Sequence, residues 1–251
     1  MTEYLNTVCD IAEQMLKSGA EVHRVEESLT RMCVAVGAVR ADVFIITSSI
    51  VVTAYADDER SFTETRRIKN IGTDMEKLHR LNDLSRRICS GGMALEEIRA
   101  EYDKILSQKA YPLWLEFAAF ALIGGSFALF FGGGPIEGLL AALIGLVLRA
   151  VTLFSDKTGM GRIFCRFACS FVLTMLSYIF LKFGIISSVD NIIIGNIMVL
   201  IPGIGLTNSL RDLFVGDSIA GLLRLIEAVL ITLAIVAGHF LFITLFKGVL
   251  F

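Results

Sequence analysis

Histidine is scarce in this sequence: His23, His79 and His239 are the three in 251 residues. A catalytic zinc site draws three protein ligands from a denser set, so such a site is not expected. The block Glu21-Val-His23-Arg24-Val-Glu26-Glu27 superficially resembles a zinc-binding helix, but its second histidine is missing. No Gly-rich phosphate loop follows a strand, and there is no Gly-x-Ser-x-Gly elbow, which disfavours an enzyme. A formal net charge of −2 offers no basic excess for a nucleic-acid partner. The five cysteines, Cys9, Cys33, Cys89, Cys165 and Cys169, form no Cys-x-x-Cys pair. An odd, scattered set fits a reducing compartment. Residues Met1 to Gly19 are polar and amphipathic, unlike a cleavable signal peptide, so the first domain is expected to stay in the cytoplasm.

The scarcity that decides the fold class is of charge in the second part of the chain. Residues 1–110 carry 33 of the 48 charged side chains, whereas the longer stretch 111–251 carries 15. This drop reads as a change of solvent from water to lipid. The expectation is a soluble α+β domain over 1–110, then an α-helical membrane domain over 111–251 with about five spans, the fourth broken. In the first domain, Leu5 to Met15 and Val22 to Val36 repeat at helical spacing, with Gly37 as a stop. Asp42–Thr47 and Ile50–Tyr55 read as strands, Asp57-Asp58-Glu59 as a turn, and Phe62–Ile68 as a polar edge strand. Thr73 is expected to cap a helix ending at Gly91-Gly92, and a further helix covers about Ala94–Leu106. On the second helix, Arg24 is expected to pair with Glu27 or Glu21.

In the membrane domain, apolar segments cover about Pro112–Phe131, Ile136–Phe154, Ile163–Phe183 and Ile219–Phe246. Another starts near Ile192 and is interrupted at Pro202-Gly203. A span needs roughly 20 residues to cross ~30 Å of hydrocarbon, and the fourth segment does not meet that cleanly. Lys157 and Arg162, flanked by Arg149 and Arg166, mark the most basic loop. It falls inside if residues 1–110 are cytoplasmic. Five crossings leave Lys247 outside, whereas a re-entrant fourth segment returns it to the cytoplasm. Gly124-Gly125-Ser126, Gly138, Ala141 and Gly145 suit close helix packing. Cys165 and Cys169 share a packed helix face, and His239 reads as a packing residue.

Function is carried by the stretch from Gly195 to Asp217. Pro202 lacks an N–H and clashes with the preceding turn, while Gly203 and Gly205 are permissive. A helix broken inside the bilayer is tolerated only against protein or a wet cavity. Such a break frees carbonyls that suit a cation and N–H groups that suit a carboxylate. Thr207 or Asn208 is expected to cap the restarting helix, with Arg211 one turn further on the same face and Asn196 about two turns before the break. These residues, Asn196, Pro202, Gly203, Gly205, Thr207, Asn208 and Arg211, form the candidate substrate site. Asp212, Asp217, Arg224 and Glu227 are coupling-ion or gating candidates. Arg224 and Glu227 share a face where the fifth span begins, and intramembrane charges default to paired roles.

Three blocks carry a resemblance: Ser18-Gly-Ala-Glu-Val-His-Arg-Val-Glu26, Ile201-Pro-Gly-x-x-Leu-Thr-Asn-Ser-Leu-Arg-Asp-Leu-x-x-Gly-Asp217, and Gly221-x-x-Arg224-x-x-Glu227-Ala. In this order, and over nearly the whole length, the sequence resembles the threonine/serine exporter (ThrE) family. Full-length members carry about ten spans. This sequence, with about five, is similar to the larger, YjjP-like subunit of the split form, whose shorter YjjB-like membrane subunit supplies the missing half. The resemblance implies a subunit of a secondary-active exporter in the bacterial inner membrane. The cargo would be a small carboxylate-bearing metabolite, threonine or serine for fused members and succinate for the split pair. An ion gradient would drive it, with no cofactor. A regulatory or assembly subunit, with the path formed by another chain, is the alternative.

Overall fold

A computed structural model describes residues 2–58, 60–69, 71–108 and 111–250, with side chains through 246. Glu59 of the expected turn, Lys109 and Ala110 at the expected domain boundary, and the Lys247 side chain lie outside the described residues. The chain forms two compact units. The first combines residues 1–109 with Ile204–Leu225, and the second combines Ala110–Gly203 with residues 226–251. Residues 204–225, read from sequence as membrane domain, are thus counted with the N-terminal unit. The reason is packing: their polar side chains find their partners there.

The first unit opens with helices α1 (Thr2–Lys17) and α2 (Val22–Ala35). A meander β1 (Arg40–Ile46), β2 (Ser49–Tyr55) and β3 (Ser61–Arg67) follows, then α3 (Met75–Cys89) and α4 (Leu95–Leu106). The sheet is antiparallel in the order β1-β2-β3, with Val43 opposite Val52 and Val52 opposite Glu64. Central β2 turns Ile50, Val52 and Ala54 inward at the two-residue period of a strand. β3 buries no residue fully and lies at an edge, as its polar sequence predicts. Arg66 on β3 ties the sheet to α1 through Asp10 at 3.1 Å. The core joins Leu5, Ile11 and Met15 of α1 to Leu29 and Met32 of α2 and to Leu81 and Leu84 of α3. Two local expectations shift. Asp74, not Thr73, caps α3, because its carboxylate accepts the Lys77 N–H at 2.9 Å. Arg24 makes no ion pair among the described residues. Glu27 is held by Arg31 at 2.5 Å and Glu21 by Arg211 at 2.9 Å.

The second unit contains α5 (Leu113–Phe130), α6 (Pro135–Thr158), α7 (Arg162–Lys182) and α8 (Asp190–Leu200), with most of α10 (Ser218–Leu250). Between α8 and α10 comes α9 (Gly203–Val215), which belongs to the first unit. Four helices, α5, α6, α7 and α10, are long and apolar enough to cross a membrane, or five spans result if α8 and α9 count as one. Small residues bring α5, α6 and α8 together. A Cβ added at Gly195 would lie 2.6 Å from the Ala128 nitrogen, and one at Gly145 would lie 2.5 Å from the Phe120 oxygen. Without a hydrophobic force between helices in lipid, such backbone approach is a main source of association. Among the charges of the unit, Arg149 pairs with Glu116 and Arg162 with Glu227. His239 shares a hydrogen bond with Thr174 at 2.9 Å, in keeping with a packing role. Cys165 and Cys169 are buried in the same unit.

Gly195→Val is expected to destabilise the second unit by about 1–3 kcal/mol through overpacking. Gly134→Ala, where no atom lies within 4 Å of the added Cβ, is expected to be near neutral. Thermal unfolding of the two variants in detergent checks the contrast.

Candidate functional site

The helix breaks where Pro202 requires it. α8 ends at Leu200, and Ile201 is extended at φ −67° and ψ 133°, the region into which a following proline drives its neighbour. α9 then restarts at once at Gly203, because Pro202 supplies a φ already set for a helix start. Thr207 and Asn208 therefore lie inside α9 and do not cap it, which corrects the sequence expectation. Gly203 and Gly205 fall in its first turn.

α9 has an inverted polarity. Ser209 and Asp212 are buried, whereas Ile204, Leu210 and Phe214 are exposed, Phe214 by 87%. Its polar residues turn towards the corner between α1 and α2. That corner is a Schellman turn: Ala20 N–H donates to Met15 O and Gly19 N–H to Leu16 O, with Gly19 at φ +95°. A second such turn closes α9. Asp217 N–H donates to Asp212 O and Gly216 N–H to Leu213 O, with Gly216 at φ +107°. Both positions demand glycine, which accounts for Gly19 and Gly216 in the two sequence blocks.

Four contacts join the two corners. Asn208 Nδ2 donates to Gly19 O at 3.3 Å. Arg211 Nη1 donates to Glu21 Oε1 at 2.9 Å. Arg224, on the first turns of α10, donates through Nη2 to Ala20 O at 2.7 Å and faces Asp212 Oδ2 at 3.5 Å. His23 Nδ1 lies 3.9 Å from Asp217 Oδ2, an ion-pair distance when the imidazole is protonated. Burial pushes the Glu26 carboxyl above the ordinary carboxylate range, Asp217 adds to the shift, and His23 opposes it.

The two arginines differ in kind. Arg224 and Asp212 are 8% and 1% exposed, so each is held by the other's charge in a desolvated place. Arg211 is 57% exposed, and an ion pair so open is worth about 0–1 kcal/mol. Arg211 can therefore release its carboxylate, and Arg224 cannot do so cheaply.

The remaining candidates lie elsewhere. Asn196 is fully buried in the second unit, where Nδ2 donates to Ala141 O and Ile192 O, both at 3.1 Å, and Oδ1 has no hydrogen-bond partner. Glu227 belongs to the second unit with Arg162, 2.7 Å away, while Arg224 belongs to the first. The two do not work as a pair, because each has a stronger partner. Sequence reasoning missed Glu21 and the Gly19 carbonyl as partners of α9, and the Ala20 carbonyl as a partner of Arg224 on α10. No periodicity links positions some 190 residues apart, and the only signal was the polar block around His23.

Residues 6–246 match the family described as "Putative threonine/serine exporter". The chain belongs to the threonine/serine exporter family. It is 27% identical to a "Probable threonine/serine exporter" of Mycobacterium tuberculosis, over 93% of this chain and 44% of that protein. It is likewise 27% identical to a "Threonine/serine exporter" of Corynebacterium glutamicum, over 93% of this chain and 49% of that protein. The chain thus spans about half the length of these two relatives. Against a "Probable succinate transporter subunit YjjP" of Klebsiella aerogenes the identity is 27%, over 89% of this chain and 86% of that protein. No solved structure matches the chain. With its apolar helices, membership of this family makes it a multi-pass membrane protein.

Removing Arg224 as Arg224→Ala strands Asp212 and is expected to cost about 3–5 kcal/mol of stability. Asp212→Leu combined with Arg224→Met is expected to recover part of that, the remainder being the Ala20 carbonyl left without its donor. Thermal melts of the purified chain test both. A third variant reads the raised Glu26 carboxyl. Ionised Glu26 costs stability above its folded pKa, so Glu26→Gln should raise the melting temperature near pH ~8. The gain should vanish as the pH falls to about 4, where Glu26 is protonated in both folded and unfolded states.

Proposed function

We propose that this chain is one subunit of a secondary-active exporter for small carboxylate-bearing metabolites, of the threonine/serine or succinate class. It would work with a second, smaller membrane subunit in the bacterial inner membrane, with residues 1–110 as a cytoplasmic domain and 111–251 as the membrane domain. The partner rests on a relative's name: the chain covers most of a transporter subunit but about half of two exporters.

The observation that carries the reading is Arg211, an exposed arginine on the helix that follows the proline break, already holding a carboxylate. A guanidinium fork that takes Glu21 can take a substrate carboxylate in its place. Glu21 then acts as the resident counter-ion, displaced when cargo arrives and restored when it leaves. The inverted polarity of α9 supports a position against lipid, with apolar residues outward and polar ones toward protein. Pro202, Gly203 and Gly205 set that helix, with Thr207 and Asn208 on its second turn. Asn196, in the second unit, is a further polar candidate, its buried oxygen without a hydrogen-bond partner among the described residues. Of the four gating candidates, Asp217 and Glu227 are the charges whose pairing would change with the coupling ion, while the buried Asp212 and Arg224 would hold α9 in place.

Arg211→Ala is expected to abolish export of labelled threonine, serine and succinate from cells carrying this chain and its partner, with membrane abundance unchanged. A charge swap separates the two roles of Arg211. If its work is only to tie α9 to Glu21, Glu21→Arg combined with Arg211→Glu restores export. If Arg211 meets the cargo, the swap stays inactive, and that is the outcome expected.

A further inference from the structure

One cleft in the first unit shares only Glu21 with the reading above. It lies between α2 and α3, with a volume of about 460 Å³, within the range of small-molecule sites, about 300–1,000 Å³. Three arginines line it, Arg24 and Arg31 from α2 and Arg86 from α3, with the carboxylates Glu21 and Glu27. Hydroxyl and amide groups come from Ser28, Asn82 and Ser85.

Charge accounting makes the cleft specific. Glu27 is engaged by Arg31 and Glu21 by Arg211. Arg24 and Arg86 have no ion pair and no side-chain hydrogen bond among the described residues. Both lining carboxylates are therefore compensated already, and two guanidinium groups on facing helices are left without a counter-charge. A concave surface concentrates such a field. The neutral lining groups can donate to, or accept from, the rest of a bound molecule.

We propose that this cleft binds a small organic anion carrying one or two carboxylates, with Arg24 and Arg86 as its charge partners, and that it is a regulatory site distinct from the transport site. Glu21 gives it a route to α9: the residue that lines the cleft is the residue that holds Arg211. An anion bound beside Glu21 would change the field at that carboxylate and so bias the state of Arg211. The existence of the site does not rest on the export reading, although its consequence for Arg211 does.

Cys89 supplies the test. It lines the cleft and is exposed, whereas Cys9, Cys33, Cys165 and Cys169 are buried. Burial also pushes Cys9 and Cys33 up to about 12, which leaves them poorly reactive. Maleimide labelling of the full chain in detergent, followed by intact mass, therefore reads one thiol. Succinate is expected to slow Cys89 labelling saturably by at least about threefold, with threonine and inorganic phosphate as comparison arms. Arg24→Gln and Arg86→Gln should each shift the succinate midpoint by about tenfold, and together remove protection, while leaving the labelling rate without ligand unchanged. Protection should still be reached in Arg211→Ala, at a higher succinate concentration because Glu21 is then an uncompensated carboxylate in the cleft, and its presence separates failure of this site from failure of the transport site. Equal protection by phosphate would overturn carboxylate recognition. No protection by any arm, or protection surviving the double variant, would overturn the site itself.

Discussion

The pairing of Arg224 with Asp212 is the interaction on which the first unit's second half depends. Both side chains are almost wholly removed from solvent, and each would be prohibitively expensive there alone. The pair has one further requirement. A guanidinium carries five donors, and in a desolvated place they need acceptors beyond a single carboxylate. The Ala20 carbonyl is one of these, free to accept because α1 ends in a left-handed turn at Gly19. A charge on the last helix thus fixes the conformation of the first helix corner. The N-terminal block and the Pro-Gly block form one physical object, although some 190 residues separate them.

That object also explains why α9 can be polar on the inside and apolar on the outside. In a water-soluble helix the apolar face packs inward and the charges are solvated. Here Asp212 and Ser209 are inward, and Phe214 and Leu210 outward. Such an inversion is stable only if the inward charges are matched and the outward face has an apolar neighbour. The first condition is met within the unit by Arg224. Lipid would meet the second. α10 continues the chain as 33 residues, roughly 50 Å, which exceeds the ~30 Å of hydrocarbon and leaves its first turns for the polar contacts of Arg224.

What the sequence made legible follows the range of the signals. Helical periods, the alternation of β2, the edge character of β3 and the apolar segments are local patterns, and the structure places helices and strands there with ends shifted by up to four residues, as at Thr158 of α6 and Leu250 of α10. The break at Pro202 was legible for the same reason, since a missing N–H and a ring clash act on immediate neighbours. The position of the restart was not. Polar Thr207 and Asn208 looked like caps, but proline already provides the starting φ, so α9 begins four residues before Thr207. The partners of the charges were less legible still. Arg24 looked paired by helix spacing, yet Arg31 and Arg211 reach its two carboxylates first. Spacing along one helix constrains which pairs can form. Which pairs do form is set by long-range folding, and no single-sequence pattern reports that.

The contrast between the two arginines sets the terms of any transport mechanism on this scaffold. Glu21 is held next to Arg211 by the fold, so a cargo carboxylate competes with an intramolecular partner. A free carboxylate that brings nothing else competes poorly with it. Cargo must therefore gain affinity from a second group, an ammonium in an amino acid or a second carboxylate in a dicarboxylate, placed against other polar atoms. On the proposed reading the tethered carboxylate would work as a filter, turning away simple monocarboxylates and admitting bifunctional cargo. An exposed pair worth about 0–1 kcal/mol is weak enough to be exchanged on each cycle. The buried Arg224–Asp212 pair, several times more costly to break, stays in place as the fulcrum. On the proposed reading, discrimination lies in the weaker of the two ion pairs, and it is available only because the stronger one holds α9 in position.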